Sequence, residues 1–229
     1  MNNNLILLGS AERVETLYHT LGEGAVSPTA GLCLREGAAA QDGDLVCSFS
    51  GTVYSYADES LPRESPEAYL LAARRKYGER FLEMLEGKFV LALLDLREKT
   101  LFFARDHFGG FPLYYCCGED FAAVSGKLSP LANCGLVKKE LSRAGLCDLF
   151  SLRFIPAPDT IFEGVRALLP GHCVFARLDG GRVTVEERCW WDVDCRNQRP
   201  LRWRQRWRFG IFVSSSVIFQ LLRLVWADF

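Results

Sequence analysis

Leu101-Phe102-Phe103-Ala104-Arg105-Asp106-His107-Phe108-Gly109-Gly110-Phe111-Pro112-Leu113-Tyr114-Tyr115 is the stretch on which the fold turns. It is apolar up to the charged pair Arg105-Asp106, breaks at Gly109-Gly110, and turns apolar again after Pro112. That pattern predicts a strand over 100–106, a glycine-bearing turn, and a new strand over 112–116. Upstream, Lys88 to Asp95 is an almost continuous apolar run, too apolar for a sheet face open to water. The charged turn Arg97-Glu98-Lys99 joins it to the next strand. Downstream, Gly118-Glu119-Asp120 separates 112–116 from another strand-like run, 121–125. Consecutive strands with short turns predict antiparallel pairing.

The same reading extends outward. Asn4 to Gly9 suits a buried strand, followed by a polar helical stretch over 10–21. Strands are expected over 30–36 and 44–49, around the turn Gln41-Asp42-Gly43-Asp44, with Ser50 to Tyr56 continuing the second. Ser65 is a good N-cap, Pro66 fits the first helical position and Glu67 suits the positive end of the helix dipole, so a helix runs from there to Tyr77-Gly78. A second short helix is expected over Phe81 to Leu85, and helical patches over 128–132 and 140–149. Pro156-Ala157-Pro158 is a rigid loop, and Gly180-Gly181 joins two last strands, 172–176 and 182–185. Strand runs followed by helices predict an α+β domain, which by itself names no function.

Composition sets further bounds. The chain is 49% hydrophobic and 12% aromatic, enough for a true core. Its net charge of -1 supplies no global attraction to nucleic acid or membrane. The nine cysteines are odd in number and mostly lie in apolar runs without zinc or redox spacing, which predicts free thiols in a reducing compartment. Residues 1–30 show no signal-peptide pattern, so the expected location is the cytoplasm. From Arg196 onward there are seven arginines, one acid and no lysine, against 20 basic and 27 acidic residues before it. The expected organisation is therefore a domain over 1–195 and a basic, apolar tail over 196–229.

The motifs give this domain a likeness. The 101–115 stretch, Gly51-Thr52-Val53-Tyr54-Ser55-Tyr56, Ser65-Pro66-Glu67, and Glu86-Gly87-Lys88-Phe89 through Asp95 occur in the order found in asparagine synthetases. Phe154-Ile155-Pro156-Ala157-Pro158 through Val165, Leu169-Pro170-Gly171-His172 and Trp191-Asp192 continue the series. The chain thus resembles the class II glutamine amidotransferase domain of that family, over about residues 45–192. The resemblance implies a four-layer αββα N-terminal-nucleophile hydrolase-like fold with two antiparallel sheets. It also implies glutamine hydrolysis that delivers ammonia to an ATP- and Mg-dependent synthetase domain.

Residue by residue, the resemblance also implies a degenerate site with no catalytic residue in this chain. The family's nucleophile is a cysteine directly after the initiator, where its own α-amino group serves as base; here Met1 is followed by Asn2-Asn3-Asn4, and Cys33 reads as structural. The family's oxyanion-hole asparagine falls on Ser50, its glycine on Gly51, its glutamate on Thr52 and its substrate-holding aspartate on Pro66. One lost oxyanion donor costs roughly 3–4 kcal/mol of transition-state stabilisation. Arg105-Asp106 reads as a structural ion pair, and His107 and His172 receive no role. No metal site is expected. No S-G-G-x-D-S phosphate loop is present, so ATP and Mg belong to a synthetase domain or partner chain outside this sequence.

The tail admits three readings. The simultaneous change in charge, composition and likeness past Asp192 favours an out-of-frame product. Basic flanks around apolar 209–226 approach a membrane anchor, and Arg/Trp interleaving could bind nucleic acid, the least favoured reading. The leading expectation is an inactive glutaminase-like domain, with glutamine a doubtful ligand. A mis-started fragment of a working glutamine-hydrolysing asparagine synthetase and an interaction module tethered to a membrane are the alternatives.

Overall fold

A computed structural model describes residues 5–10, 13–15, 32–34 and 39–192. The tail, and with it the anchor, nucleic-acid and frame-break readings, lies outside the described residues, as does most of the expected helix over 10–21; residues 13–15 are helical. Eleven strands are described: β1 (Leu5–Gly9), β2 (Leu32–Leu34), β3 (Ala39–Asp42), β4 (Leu45–Tyr56), β5 (Leu85–Asp95), β6 (Thr100–Arg105), β7 (Tyr114–Cys117), β8 (Phe121–Ser125), β9 (Arg166–Ala167), β10 (His172–Asp179) and β11 (Arg182–Cys189). They form two antiparallel sheets, one ordered β2-β1-β8-β7-β9 and the other β11-β10-β6-β5-β4-β3. The helices are α1 (Pro66–Tyr77), a 3-10 helix (Gly78–Met84), α2 (Leu128–Asn133) and α3 (Arg143–Leu152).

Strand periodicity explains the layers. In β5, Val90, Ala92 and Leu94 face the other sheet and pack with Phe103 of β6, Ile6 and Leu8 of β1, Tyr115 of β7 and Val124 of β8. The alternate residues Phe89, Leu91 and Leu93 face outward, beneath Tyr69 and Leu70 of α1 and Phe81 and Leu82 of the 3-10 helix. Behind the other sheet, Leu5, Leu7 and Ala123 pack with Leu131 of α2. The order is helix, sheet, sheet, helix, the four-layer αββα arrangement. A strand buried on both faces must be apolar at every position, which is why 89–94 reads as an unbroken run; each such Leu or Phe contributes roughly 1.5–3 kcal/mol.

α1 begins as expected: the Ser65 side chain accepts from the Ala68 N–H at 3.1 Å, with Pro66 in the first turn. Other expectations change. The helix expected over 81–85 is a 3-10 helix ending at Met84, because Leu85, Glu86 and Gly87 pair with Tyr56, Ser55 and Val53 across a bulge in β4. The Gln41–Asp44 turn is tighter than expected: Gln41 and Asp42 belong to β3, and the chain reverses at Gly43, whose φ is 61°. β10 and β11 run further than expected, since each is stabilised by its partner along the whole hairpin.

Candidate functional site

Ser50, Gly51 and Thr52 lie in β4 opposite Val90, Phe89 and Lys88 of β5. Phe89 is committed elsewhere: its N–H donates to the Asp106 carboxylate at 3.1 Å and its carbonyl accepts the Asp106 N–H at 2.9 Å. A strand residue directs both backbone groups to one side, so Gly51 receives no ladder bond from Phe89. Gly51 has φ 144°, and a Cβ there would stand 2.1 Å from the Lys88 carbonyl oxygen. Close approach of the two backbones therefore requires glycine. No hydrogen bond joins the side chains of Ser50 or Thr52 to another described residue. Pro66 stands at the first turn of α1, neutral and without an N–H, and its helix packs over β4 and β5 through Tyr69, Leu70, Cys47 and Phe49.

Lys88 was not singled out by the sequence. As the cross-strand partner of Thr52 it shares that residue's face of the sheet. Its methylenes lie across Gly110, and its ammonium sits 4.9 Å from the Phe111 ring centroid. The available signal was one cation at the start of an apolar run; its placement beside Thr52 needed the strand register.

Next to this strand, the pair Arg105-Asp106 departs from the expected ion pair. Asp106 is 1% exposed, and its carboxylate accepts from three backbone N–H groups, those of Phe89, Phe108 (2.8 Å) and Gly110 (2.8 Å). Arg105 donates instead to three carbonyls, those of Phe111 (2.7 Å), Leu168 (2.7 Å) and Gly109 (2.9 Å). The two charges are satisfied separately, by backbone groups of the β6–β7 connection together with Phe89 of β5 and Leu168. The Asp106 carbonyl also accepts from Gly171 N–H, and Gly171 in turn accepts from Trp190 and Trp191, while the Trp190 indole donates to the Arg105 carbonyl. The Arg105–Gly110, Leu169–His172 and Trp190–Trp191 segments thus meet at one place.

His107 lies edge-on to Trp190 and Trp191, with centroids 4.7 and 4.8 Å away; its burial pulls its pKa below the ordinary value, against the opposing pull of Asp106. His172 contacts the Pro170 carbonyl at 2.9 Å. The seven cysteines whose side chains are described are free; Cys47, Cys116, Cys134 and Cys173 are buried, and Cys117, Cys147 and Cys189 exposed. Burial pushes the thiols of Cys47, Cys116, Cys134 and Cys173 up, the last to about 11, the opposite of what a nucleophilic thiolate needs. Among the described residues no cluster of three His, Cys, Asp or Glu could hold a metal, and no helix is long and apolar enough to cross a membrane.

Comparison with known proteins finds relatives in sequence. Asparagine synthetase [glutamine-hydrolyzing] 1 of Bacillus subtilis is 31% identical over 144 residues, covering 58% of this chain and 22% of that protein. Amidase chry2 of Gibberella zeae is 26% identical over 162 residues, covering 67% of this chain and 23% of that one. The chain thus spans about a quarter or less of the length of these curated relatives. Among solved structures, the glutamine phosphoribosylpyrophosphate amidotransferase of B. subtilis superposes with a TM-score of 0.46 at 11% identity, over 80% of this chain and 48% of that one. The family profile described as a glutamine amidotransferase domain matches residues 39–191. With more than half of its length so matched, the chain belongs to the glutamine amidotransferase domain family and is related through it to asparagine synthetases.

Proposed function

We propose that this chain is a glutaminase-like domain that does not hydrolyse glutamine and serves as the structural companion of an amide-forming, ATP- and Mg-dependent synthetase domain. One observation carries this reading: the two positions where the family resemblance implies acids hold Thr52 and Pro66, and the cross-strand neighbour of Thr52 is the cation Lys88. Glutamine presents an α-ammonium group. A neutral or cationic surface gives that group no charge partner, and like charges within a few ångströms oppose binding. Ser50 supplies a single rotatable hydroxyl where an amide side chain would offer fixed donors to an oxyanion. What remains is the scaffold: the packed sandwich and the Arg105–Asp106 loop.

The direct test is release of glutamate and ammonia from glutamine by the purified 229-residue chain. The expected result is release at the buffer background, unchanged by a covalent glutamine-site inhibitor; turnover abolished by that inhibitor overturns the proposal. Pro66→Asp sharpens the test. An acid suits the first turn of a helix, so stability is expected to stay within about 0.5 kcal/mol while ammonia release remains at background.

A further inference from the structure

We infer that a crevice on the outer face of the six-stranded sheet is a binding site for a small amphiphilic cation, one aromatic or branched apolar group bearing a single ammonium. α1 packs on β3 and β4 and the 3-10 helix on β5, so the outer face of this sheet falls open where it continues into β10 and β11. The space left there is about 250 Å³. A cavity of about 150 Å³ already holds benzene, so one ring with a short side chain fits. The strand register makes the floor apolar: Phe102 of β6 stands opposite Phe175 of β10, and Cys173, two residues before Phe175, shares that face. Leu82 and Trp190 complete the apolar lining. Ser50, Thr52 and Lys88 lie on the other face of the sheet, that of Val90, so the crevice is separate from the glutamine-site positions.

The rim sets the sign of the ligand. Glu83 holds Arg80 through both carboxylate oxygens, at 3.1 and 2.7 Å, and Glu186 holds Arg188 through both of its own, at 2.6 and 2.7 Å. Each of these pairs is internally neutral. Glu79 is the third carboxylate; it takes one bond from Arg188, at 3.0 Å, and its other oxygen accepts from no described residue. Three carboxylates against two guanidiniums leave the rim one negative charge in excess, on a group with a lone pair to spare. The chain before Arg196 adds to that field, with 27 acidic residues against 20 basic. An ammonium at Glu79 meets an acceptor while its apolar body covers Phe102 and Phe175. A carboxylate in the same place meets the excess charge instead, and a wholly apolar molecule leaves the Glu79 oxygen to water.

Phenethylamine tests the site against 3-phenylpropionate, its anionic counterpart. Cys189 lines the crevice and is exposed, so its alkylation by iodoacetamide reads occupancy, with exposed Cys147 of α3 as the internal reference. On the full chain, phenethylamine is expected to slow alkylation of Cys189 but not of Cys147, saturating with a dissociation constant on the order of 1 mM. 3-Phenylpropionate should bind at least about fivefold more weakly. Glu79→Lys, at a side chain 66% exposed, gives the rim one positive charge in excess and should reverse the order of the two ligands with the melting temperature unchanged. No slowing at Cys189 by about 10 mM phenethylamine overturns the inference. Equal slowing at Cys147 does the same, as does an order of ligands that Glu79→Lys leaves intact. None of these readouts involves glutamine, so this result and that of the glutaminase assay stand apart.

Discussion

Two neighbouring regions of one sheet treat their polar groups in opposite ways. In the β6–β7 connection, each oxygen of the buried Asp106 carboxylate meets backbone N–H, and the Arg105 guanidinium spans three carbonyls. In the segment from β4 to α1, the side chains of Ser50 and Thr52 bond to nothing described, and that of Pro66 carries no donor or acceptor. Between them lies a loop clipped by Asp58, which accepts from Ser60, Lys76 and Tyr77. The contrast separates two kinds of polar residue that sit close together in a family motif. Some hold the chain in place through bonds to backbone groups; the side chains of the others make no described bond that the fold depends on.

That contrast can be broken first at Asp106. Asp106→Ala leaves three N–H groups without their acceptor, that of Phe89 buried, and is expected to cost on the order of 4 kcal/mol in urea unfolding. Asp106→Asn keeps one acceptor oxygen and should retain about half of that. A loss below about 1 kcal/mol for the alanine variant would place this loop's support elsewhere. Next in size is Gly51→Ala. Its methyl group meets the Lys88 carbonyl oxygen at a φ that side chains rarely adopt, so a loss of about 2–3 kcal/mol is expected. A neutral result would show that β4 and β5 can separate there without cost, removing the backbone constraint from the β4 region.

The smallest effect concerns pH and the Asp58 clip. The hydrogen bond from Lys76, then those from Ser60 and Tyr77, hold this carboxyl below the usual carboxylate range. A depressed folded pKa stabilises the protein fully above the unfolded value, near 4, and that stabilisation drains as pH falls toward the lower folded value. Asp58→Asn should therefore be less stable than wild type at pH 7, with the gap already narrowing by about pH 3. Parallel stability curves for the two proteins down to that pH would remove the clip from the β4–α1 connection.

Much of the architecture was legible because local chemistry and tertiary placement agree. The apolar run of β5, the Arg97-Glu98-Lys99 turn, the Gly180-Gly181 hairpin and the Ser65-Pro66 helix start each carry their own physical cause. The expectation failed where a distant strand decides. Leu85 looks helical beside Phe81 and Leu82, yet the far end of β4 draws it into the sheet. β9, only two residues long, exists because Tyr114 and Tyr115 pair with it. At the candidate site, Ser50, Gly51, Thr52 and Pro66 were reached by resemblance. Lys88 was missed because its relevance comes from a register of strands rather than from its own neighbours in the chain.

By itself, then, the sequence determined the alternation of strands and helices, the antiparallel hairpins and the family. Those follow from periodicity, turn chemistry and motif order, all properties of residues near one another along the chain. Only the tertiary structure decided that β5–β6 and β7–β8 belong to different sheets. It likewise turned Arg105 and Asp106 to separate backbone partners, set Lys88 beside Thr52, and left Phe150 and Leu152 of α3 exposed. Each of these joins residues far apart in the chain. Such contacts form when burying the shared core outweighs the entropy of closing the loops between them.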